Sequence, residues 1–365
     1  MVMHEMRHLM AGGWSRGAEG GNSVPRRGGN RLKYQVEQAL KAINYIGQSK
    51  KAFRDEKRPT GIHSTKQMEH ALSVGMNFVR WLKKQGVKDL FQLKKSHYRN
   101  FLAHMEATGI SVGYLIHVET NLRLLAKGMD RISESKGFEK RVWVPNKRLV
   151  NPDTRERPVD RSYTEDELKV FRERLSEQAK VAFDLQLAFG LRLREVANTR
   201  VAHIVEKDGR LVWVAVSDKT ALNTAKGVTK AGRGREAPCR PEYEPRIRAL
   251  IQEKKPEDFV SPLKYNSLKS AYFRAGIKGS HALRHTYARV MLRSELRQKG
   301  IEDEGRRMLR RMLENRQAGY RKDHGVTQKE RLLYREVVQA VDQVHAYLGH
   351  GEGRIDLCEV YMQGA

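Results

Sequence analysis

Residues 280–285 read Ser280-His281-Ala282-Leu283-Arg284-His285; Leu348-Gly349-His350 follows later in the chain, and Tyr361 comes after it. Positions three apart lie on one face of a helix, so we expect His281 and Arg284 to point at the same ligand. An arginine fork suits phosphate, an imidazole moves protons near neutral pH, and a tyrosine can form a covalent intermediate. These residue types together predict a site that cuts and reseals a phosphodiester.

The composition indicates a basic protein with an anionic partner. The 365 residues are enough for two domains, and 39% hydrophobic with 31% charged residues is typical of a globular protein. Lys and Arg number 70 against 43 Asp and Glu, which gives a formal net charge of +27. Nucleic acid is the expected partner, because phosphate neutralisation with counterion release drives such binding.

Other classes of partner and compartment fit the sequence less well. No run reaches the roughly 18 apolar residues of a membrane-spanning helix, and the N-terminus lacks the apolar segment of a signal peptide. The two cysteines, Cys239 and Cys358, have neither a disulfide framework nor zinc-site spacing. We therefore expect a cytoplasmic protein, bacterial and associated with the nucleoid, with no membrane partner.

Periodicity divides the chain into four parts. Residues 1–30 are rich in Gly and Arg and read as a flexible basic N-terminal arm. Residues 31–142 show helical spacing, whereas residues 143–162 hold three prolines and read as an interdomain linker. Residues 163–365 form the second predicted domain. In the helical part, a phosphate-facing surface is predicted for the lysines Lys83, Lys84, Lys88, Lys94 and Lys95.

The second domain begins with a helix and contains a few strands. Thr164 and Glu167 have the spacing of a capping box, and a further helix runs from about residue 179 to Gly190. Strands are predicted at 202–205 and 211–216, joined across Lys207-Asp208-Gly209, with a third near 236–238. The fold class is therefore mainly α with one small antiparallel β-sheet (α+β).

Five short motifs occur in a fixed order. They are Gly190-Leu191-Arg192 with Glu195, a lysine on a hairpin loop, His281 to His285, Leu348-Gly349-His350, and Tyr361. This series resembles the tyrosine recombinase (phage integrase) family. The resemblance covers about residues 160–365, the family's catalytic domain, and residues 31–142 occupy the place of its helical core-binding domain.

The resemblance implies a role for each residue. Arg192 and Arg284 would clamp the charge that develops on the non-bridging phosphate oxygens. Tyr361 would be the nucleophile, and His281 would help to move its proton. The remaining assignments are a hydrogen bond to phosphate from His350, an orienting role for Glu195 and a structural role for His285.

Two assignments have rivals in the sequence. Lys230 holds the hairpin position of the family's general acid, on a glycine-rich loop suited to closing over DNA, but Lys219 and Lys226 lie nearby. Tyr347 and Tyr320 also lie in the C-terminal region. Tyr347 precedes His350 on a predicted helix and is better explained by packing, so Tyr361 is the preferred nucleophile.

Two features depart from the family pattern. About 65 residues separate Arg284 from His350, and the surplus, about 296–333, has helical spacing and many basic residues: Arg306, Arg307, Arg310, Arg311, Arg316, Arg321 and Lys322. There are three interpretations of this insertion. It would contact DNA outside the core site, it would contact a neighbouring subunit, or it would be a solvated segment without a partner. Only four residues follow Tyr361. In many members of the family, a C-terminal tail packs into the next subunit and regulates it. We expect the N-terminal arm or the insertion to take that role in this protein.

The resemblance implies a site-specific recombinase or integrase that acts on double-stranded DNA as a homotetramer. Cleavage would pass through a 3′-phosphotyrosine and a Holliday junction without a cofactor, metal or ATP, with accessory DNA-bending proteins as possible partners. The long arm favours an integrase of a mobile element. The alternatives are a type IB topoisomerase, a catalytically inactive DNA-binding accessory protein and, more distantly, an RNA-binding protein.

Overall fold

The computed structural model describes residues 31–156 and 158–362. The basic arm predicted for residues 1–30 lies outside the described residues. The chain divides into two compact units, one ending at residue 157 and the other beginning at residue 158. Of the helices in the described part, none combines the length and apolar character needed to cross a bilayer.

The first unit is a bundle of five α-helices. The helices are α1 (Arg31–Ala42), α2 (Lys50–Asp55), α3 (Thr65–Lys84), α4 (Lys95–Ala107) and α5 (Val112–Ser135). Serine side chains accept hydrogen bonds from backbone amides at the starts of α2, α3 and α5, which satisfies donors that a helix leaves free. The apolar stripes of α1, α3, α4 and α5 meet in one core that includes Val36, Phe78 and Leu122.

The segment expected to be a linker contributes to this first unit. Trp143 is only 1% exposed and stacks on Phe78, with ring centroids 5.6 Å apart. Val150 is buried in the same core. The first unit therefore continues past residue 142, because a large aromatic side chain among prolines still gains free energy by leaving water.

The second unit combines nine helices among the described residues with one small sheet. The helices are α6 (Glu165–Glu173), α7 (Glu177–Phe189), α8 (Leu193–Val196), α9 (Glu244–Ile251), α10 (Tyr265–Arg274), α11 (His281–Gln298), α12 (Glu302–Gln317), α13 (Arg331–Tyr347) and α14 (Ile355–Tyr361). The capping box is confirmed: Thr164 Oγ1 accepts from the amide of Glu167 at 3.2 Å, and the amide of Thr164 donates to Glu167 Oε2 at 2.8 Å.

The sheet is antiparallel with the order β1 (Ile204–Lys207), β2 (Arg210–Ala215), β3 (Arg235–Pro238). Asp208 and Gly209 form the first turn with φ of 49° and 75°, as a two-residue hairpin requires. The first strand begins two residues later than predicted. The amides of Val201 and Ala202 bind the carbonyls of Asp258 and Pro256 instead of a neighbouring strand.

Two hydrophobic cores organise the second unit. One lies among α6 to α10 and the sheet, and the other joins α11, α12, α13 and α14. The helix expected within residues 296–333 is confirmed as α12. Its residues Met308, Leu309, Met312 and Leu313 are buried in the second core. The insertion is therefore an integral part of the fold.

Candidate active site

A glycine places the first arginine of the site. Gly190 ends α7 with a left-handed φ of 60°, and a Cβ there would lie 2.3 Å from the ring of Tyr287. Only glycine fits this turn, which leads the chain directly into α8. Arg192 stands at the start of α8 and donates from Nη1 to Glu195 Oε1 at 2.7 Å. Its backbone amide donates to the other carboxylate oxygen at 2.7 Å.

Arg284 ties three separate parts of the chain together. Its side chain is fully buried and donates from Nη1 to the carbonyl of Gly190 at 2.5 Å. A second hydrogen bond runs from Nη2 to the carbonyl of Leu348. Glu195 Oε2 lies 3.8 Å from Nη1 of Arg284. Arg284 thus holds the Gly190 turn and the Leu348 turn against α11.

Tyr361 lies among three histidines at the end of α14. Its hydroxyl oxygen is 2.5 Å from Nε2 of His281, and the tyrosine is 6% exposed. The ring centroid of Tyr361 is 5.0 Å from that of His350 and 4.5 Å from that of His285. The structure therefore brings His281, His350 and Tyr361 together.

The surroundings keep these imidazoles neutral. One side of His281 is open to solvent, yet its pKa is lowered to about 4, first by the loss of water around the ring and then by the positive charges of Arg284 and Arg192. Burial, followed by the charge of Arg284, lowers the pKa of His350 to about 3. A neutral His281 can accept a proton from the hydroxyl of Tyr361.

Glu195 is the electrostatic centre of the arginine cluster. Its side chain is 1% exposed, and burial alone would raise its pKa. The charges of Arg235, Arg284 and Arg192 outweigh that effect and lower the pKa to about 2. Three guanidinium groups face one carboxylate, so the cluster keeps an excess of positive charge. Such a cluster is suited to binding an anion such as phosphate.

Arg235 belongs to the cluster, although none of the five sequence motifs contains it. It begins β3, its side chain is 3% exposed, and its guanidinium lies 4.8 Å from the ring centroid of Trp213. Nη2 donates to Glu195 Oε2 at 2.6 Å, and Nη1 donates to the carbonyl of Tyr347. Alternation along the strand was the available signal, because Arg235 and Ala237 are two apart and share the inward face.

Arg235 also explains the glycine of the Leu348-Gly349-His350 motif. Gly349 has a φ of +65°, and a Cβ there would lie 2.8 Å from Cδ of Arg235. The turn passes so close to the arginine that no side chain fits between them. This approach fixes the position of His350, one residue later, next to Tyr361.

Lys230 is the predicted site residue that stands apart from the cluster. It is exposed, at the start of a short 3₁₀ turn, Lys230–Gly232. Within the described part of the chain, its side chain makes no hydrogen bond or ion pair with another residue. Lys219 and Lys226 are exposed as well. The structure does not favour one of these three lysines over the others.

Tyr347 and Tyr320, the alternatives to Tyr361 as the nucleophile, lie in different surroundings. Tyr347 donates from its hydroxyl to Glu295 Oε1 at 2.8 Å, and burial together with that bond raises its pKa to about 12. Tyr320 is 58% exposed and stacks on His324, with centroids 4.4 Å apart. Of the three tyrosines, Tyr361 is the one that contacts the predicted site residues.

Comparisons with known proteins bear on the fold. No protein-family model matches the sequence. No curated protein sequence matches it either. Among solved structures, a lambda integrase dimer bound to a COC′ core site is 13% identical, with 91% of this chain and 78% of that chain covered and a TM-score of 0.50.

Two further solved structures match at lower TM-scores. XerH site-specific recombinase bound to a palindromic difH substrate is 13% identical, with 91% and 92% of the two chains covered and a TM-score of 0.47. The Tn1549 transposon integrase in complex with circular intermediate DNA is 14% identical, with 91% and 95% covered and a TM-score of 0.45.

The likeness to lambda integrase shows the fold: the described chain shares the fold of that protein. The expected fold class, mainly α with a small antiparallel sheet, is confirmed.

Proposed function

We propose that this protein is a tyrosine recombinase that cleaves and rejoins duplex DNA at specific sites. The observation that carries the proposal is the 2.5 Å contact between Nε2 of His281 and the hydroxyl oxygen of Tyr361, next to a positively charged arginine cluster. A nucleophile, a neutral proton acceptor and phosphate-binding groups are the three components that phosphodiester cleavage by a hydroxyl requires.

Cleavage begins when the Tyr361 oxygen attacks the phosphorus of the scissile phosphodiester while His281 accepts the hydroxyl proton. Arg192 and Arg284 bind the non-bridging oxygens, where negative charge accumulates, and His350 donates a further hydrogen bond. The bond to the 5′ oxygen breaks, which leaves a 3′-phosphotyrosine. Among the described residues, Nε of Arg284 and Nδ1 of His350 are buried without a hydrogen-bond partner, which supports an anion-binding role.

The leaving 5′ oxygen requires a proton, and Lys230 is the proposed donor. Its glycine-flanked turn, with Gly232 at a φ of +65°, suits a loop that changes conformation when DNA binds. Rejoining reverses these steps: a 5′-hydroxyl attacks the phosphotyrosine, and the Tyr361 oxygen leaves with a proton from His281. The covalent linkage conserves the energy of the broken bond.

The larger assembly follows from the same proposal. Residues 31–142 would act as the core-binding domain and residues 163–365 as the catalytic domain. Exposed lysines on and after α3, including Lys88, Lys94 and Lys95, would contact phosphates. We propose a homotetramer on two DNA sites, exchange through a Holliday junction, accessory DNA-bending proteins and a role in a mobile element.

A covalent adduct tests this proposal. The full chain selects duplexes from a random-sequence pool, and the selected duplex is nicked next to each candidate cleavage position so that a cleaved strand cannot be rejoined. Wild type should form a DNA adduct that survives denaturation, Tyr361→Phe should form none, and the exposed-tyrosine control Tyr320→Phe should match wild type. An adduct with Tyr361→Phe would place the nucleophile elsewhere, and plasmid relaxation without site preference would favour a type IB topoisomerase.

A further inference from the structure

The helix that carries Tyr361 is short and depends on its neighbours. Helix α14 has only seven residues, and an isolated helix of that length is not stable in water. At its start, the amide of Gly353 donates to Asp342 Oδ1 on α13 at 2.8 Å. At its end, Tyr361 contacts His281 on α11. The position of the tyrosine oxygen therefore depends on what holds the middle of α14.

The inserted helix α12 contributes to the apolar core in which α14 is embedded. Met308, Met312 and Leu313 of α12 share one buried core with Cys358 and Met362, residues of the α14 segment. The C-terminal end of α12 is itself fixed, because Nδ2 of Asn315 donates to the carbonyl of His324 at 2.8 Å. The insertion thus contributes fixed apolar side chains to the core in which α14 is embedded.

One ion pair joins the same two helices directly. Nε of Arg316 on α12 lies 3.3 Å from Oε2 of Glu359 on α14. The Glu359 side chain is 11% exposed, whereas that of Arg316 is 42% exposed. A nearly buried carboxylate needs a partner, since desolvation is costly for an unpaired charge. Arg316 is the basic residue that supplies this partner.

The geometry of α14 links this ion pair to the nucleophile. Glu359 and Tyr361 are two residues apart, and each residue of an α-helix rotates by about 100°. The two side chains therefore leave α14 on nearly opposite sides. His281 holds the helix from the active-site side, and Arg316 holds it from the side of the insertion.

We propose that Arg316 of the inserted helix is a positioning residue for Tyr361 and acts through Glu359. This inference rests on the proposed function, because it assigns a role in the covalent step of strand cleavage. The pair keeps α14 at the depth and rotation that bring the tyrosine oxygen to Nε2 of His281. It also neutralises a carboxylate on the helix that must approach an anionic phosphate. One role of the insertion is then to stabilise the nucleophile within its own subunit.

Single-turnover cleavage tests the proposal. The full chain is mixed in excess with the nicked duplex of the adduct assay. The first-order rate of adduct formation is then measured. Arg316→Ala should decrease that rate roughly tenfold, which corresponds to about 1.4 kcal/mol. Arg316→Lys should recover at least a third of the wild-type rate. Arg335→Ala, which removes an exposed arginine from the neighbouring helix α13, should match wild type.

Binding is measured separately so that positioning is distinguished from affinity and folding. In a Tyr361→Phe background, Arg316→Ala should leave the dissociation constant for the uncut duplex within about twofold of the value for Tyr361→Phe alone. Glu359→Gln keeps an acceptor and should lose less rate than Arg316→Ala. The double variant Arg316→Ala/Glu359→Gln should be no slower than Arg316→Ala, because both changes break one interaction.

Three results would overturn the inference. They are a wild-type rate for Arg316→Ala, a loss of rate explained entirely by weaker binding, and rate losses that add in the double variant. Failure of the proposed function has a different signature, since wild type itself would then form no adduct or Tyr361→Phe would still form one. Arg316→Lys keeps the test decisive if Arg316→Ala does not fold.

Discussion

Arg235 and Glu195 form an ion pair at 2.6 Å in which both side chains are almost entirely excluded from solvent. Arg235→Ala leaves a buried carboxylate with one fewer partner and releases the carbonyl of Tyr347. We expect a loss of about 3 kcal/mol in the free energy of unfolding, measured by denaturant titration. The exposed-arginine control, Arg233→Ala, should stay within about 0.5 kcal/mol of wild type. Equal stabilities of the two variants would contradict a structural role for Arg235.

Gly349 and Gly351 provide a matched pair of substitutions. Gly349→Ala adds a Cβ at a φ of +65° and 2.8 Å from Cδ of Arg235, so we expect a loss of about 2 kcal/mol in the free energy of unfolding. A Cβ at Gly351 meets nothing within 4 Å, and Gly351→Ala should be nearly neutral. Adduct formation should slow only for Gly349→Ala, because that change displaces His350. A wild-type rate for this variant would show that the turn tolerates a side chain.

The elements that sequence could locate are those with local signals. The Thr164 capping box, the Gly190 helix end and the Asp208-Gly209 turn depend on neighbours within a few residues, and all three are present in the structure. Two of the motifs likewise contain His281, His285 and His350, the residues that meet around Tyr361. The order of the five motifs along the chain was informative without any knowledge of their spatial arrangement.

The contacts that sequence could not locate join distant residues. Arg235 bonds to Glu195 across 40 positions, and Arg316 bonds to Glu359 across 43. No local pattern specifies which of many arginines meets a given carboxylate. Trp143 was assigned to a linker for the same reason, since its partner Phe78 lies on a helix far upstream. The position of Lys230 relative to the site also depends on tertiary structure, and its role stays a prediction.

The buried imidazole of His285 should make stability depend on pH. Burial first, and then the charge of His281, lower the pKa of His285 to about 4 from its ordinary value of 6.5. The unfolded chain therefore binds a proton between these values that the folded protein does not bind. Stability should be highest above about pH 6.5 and decrease as the pH falls toward 4, by up to about 1.4 kcal/mol per pH unit from this group.

Urea titrations at several pH values measure this effect. His285→Phe keeps an aromatic ring against Tyr361 but removes the titrating group, so its stability should decrease less steeply over the same range. Identical slopes for wild type and His285→Phe would mean that other groups cause the pH dependence.

His281 and His285 both contact Tyr361, but only His281 has a nitrogen at the hydroxyl oxygen. His281→Phe removes the proton acceptor and should slow adduct formation by about 10²- to 10⁴-fold. His285→Phe preserves ring packing and should slow it by less than about tenfold. Single-turnover rates on the nicked duplex give both values. Comparable losses for the two variants would argue against His281 as the acceptor of the tyrosine proton.

The identity of the general acid can be tested through the leaving group. A 5′-bridging phosphorothiolate has a sulfur leaving group that departs without a proton, so it does not need an acid. Lys230→Ala should slow adduct formation on the ordinary phosphodiester by about 10²-fold or more, and the sulfur substrate should restore the rate. Arg192→Ala should be slow on both substrates, because its guanidinium binds non-bridging oxygens that the replacement leaves unchanged.

Lys219→Ala and Lys226→Ala are the matched comparisons, since both lysines are exposed near the same hairpin. If Lys230 is the donor, both variants should cleave the ordinary substrate at close to the wild-type rate. If the sulfur substrate restored the rate of one of these two variants and not that of Lys230→Ala, that lysine would be the proton donor. Rescue of none of the three would assign proton donation to a group outside the hairpin.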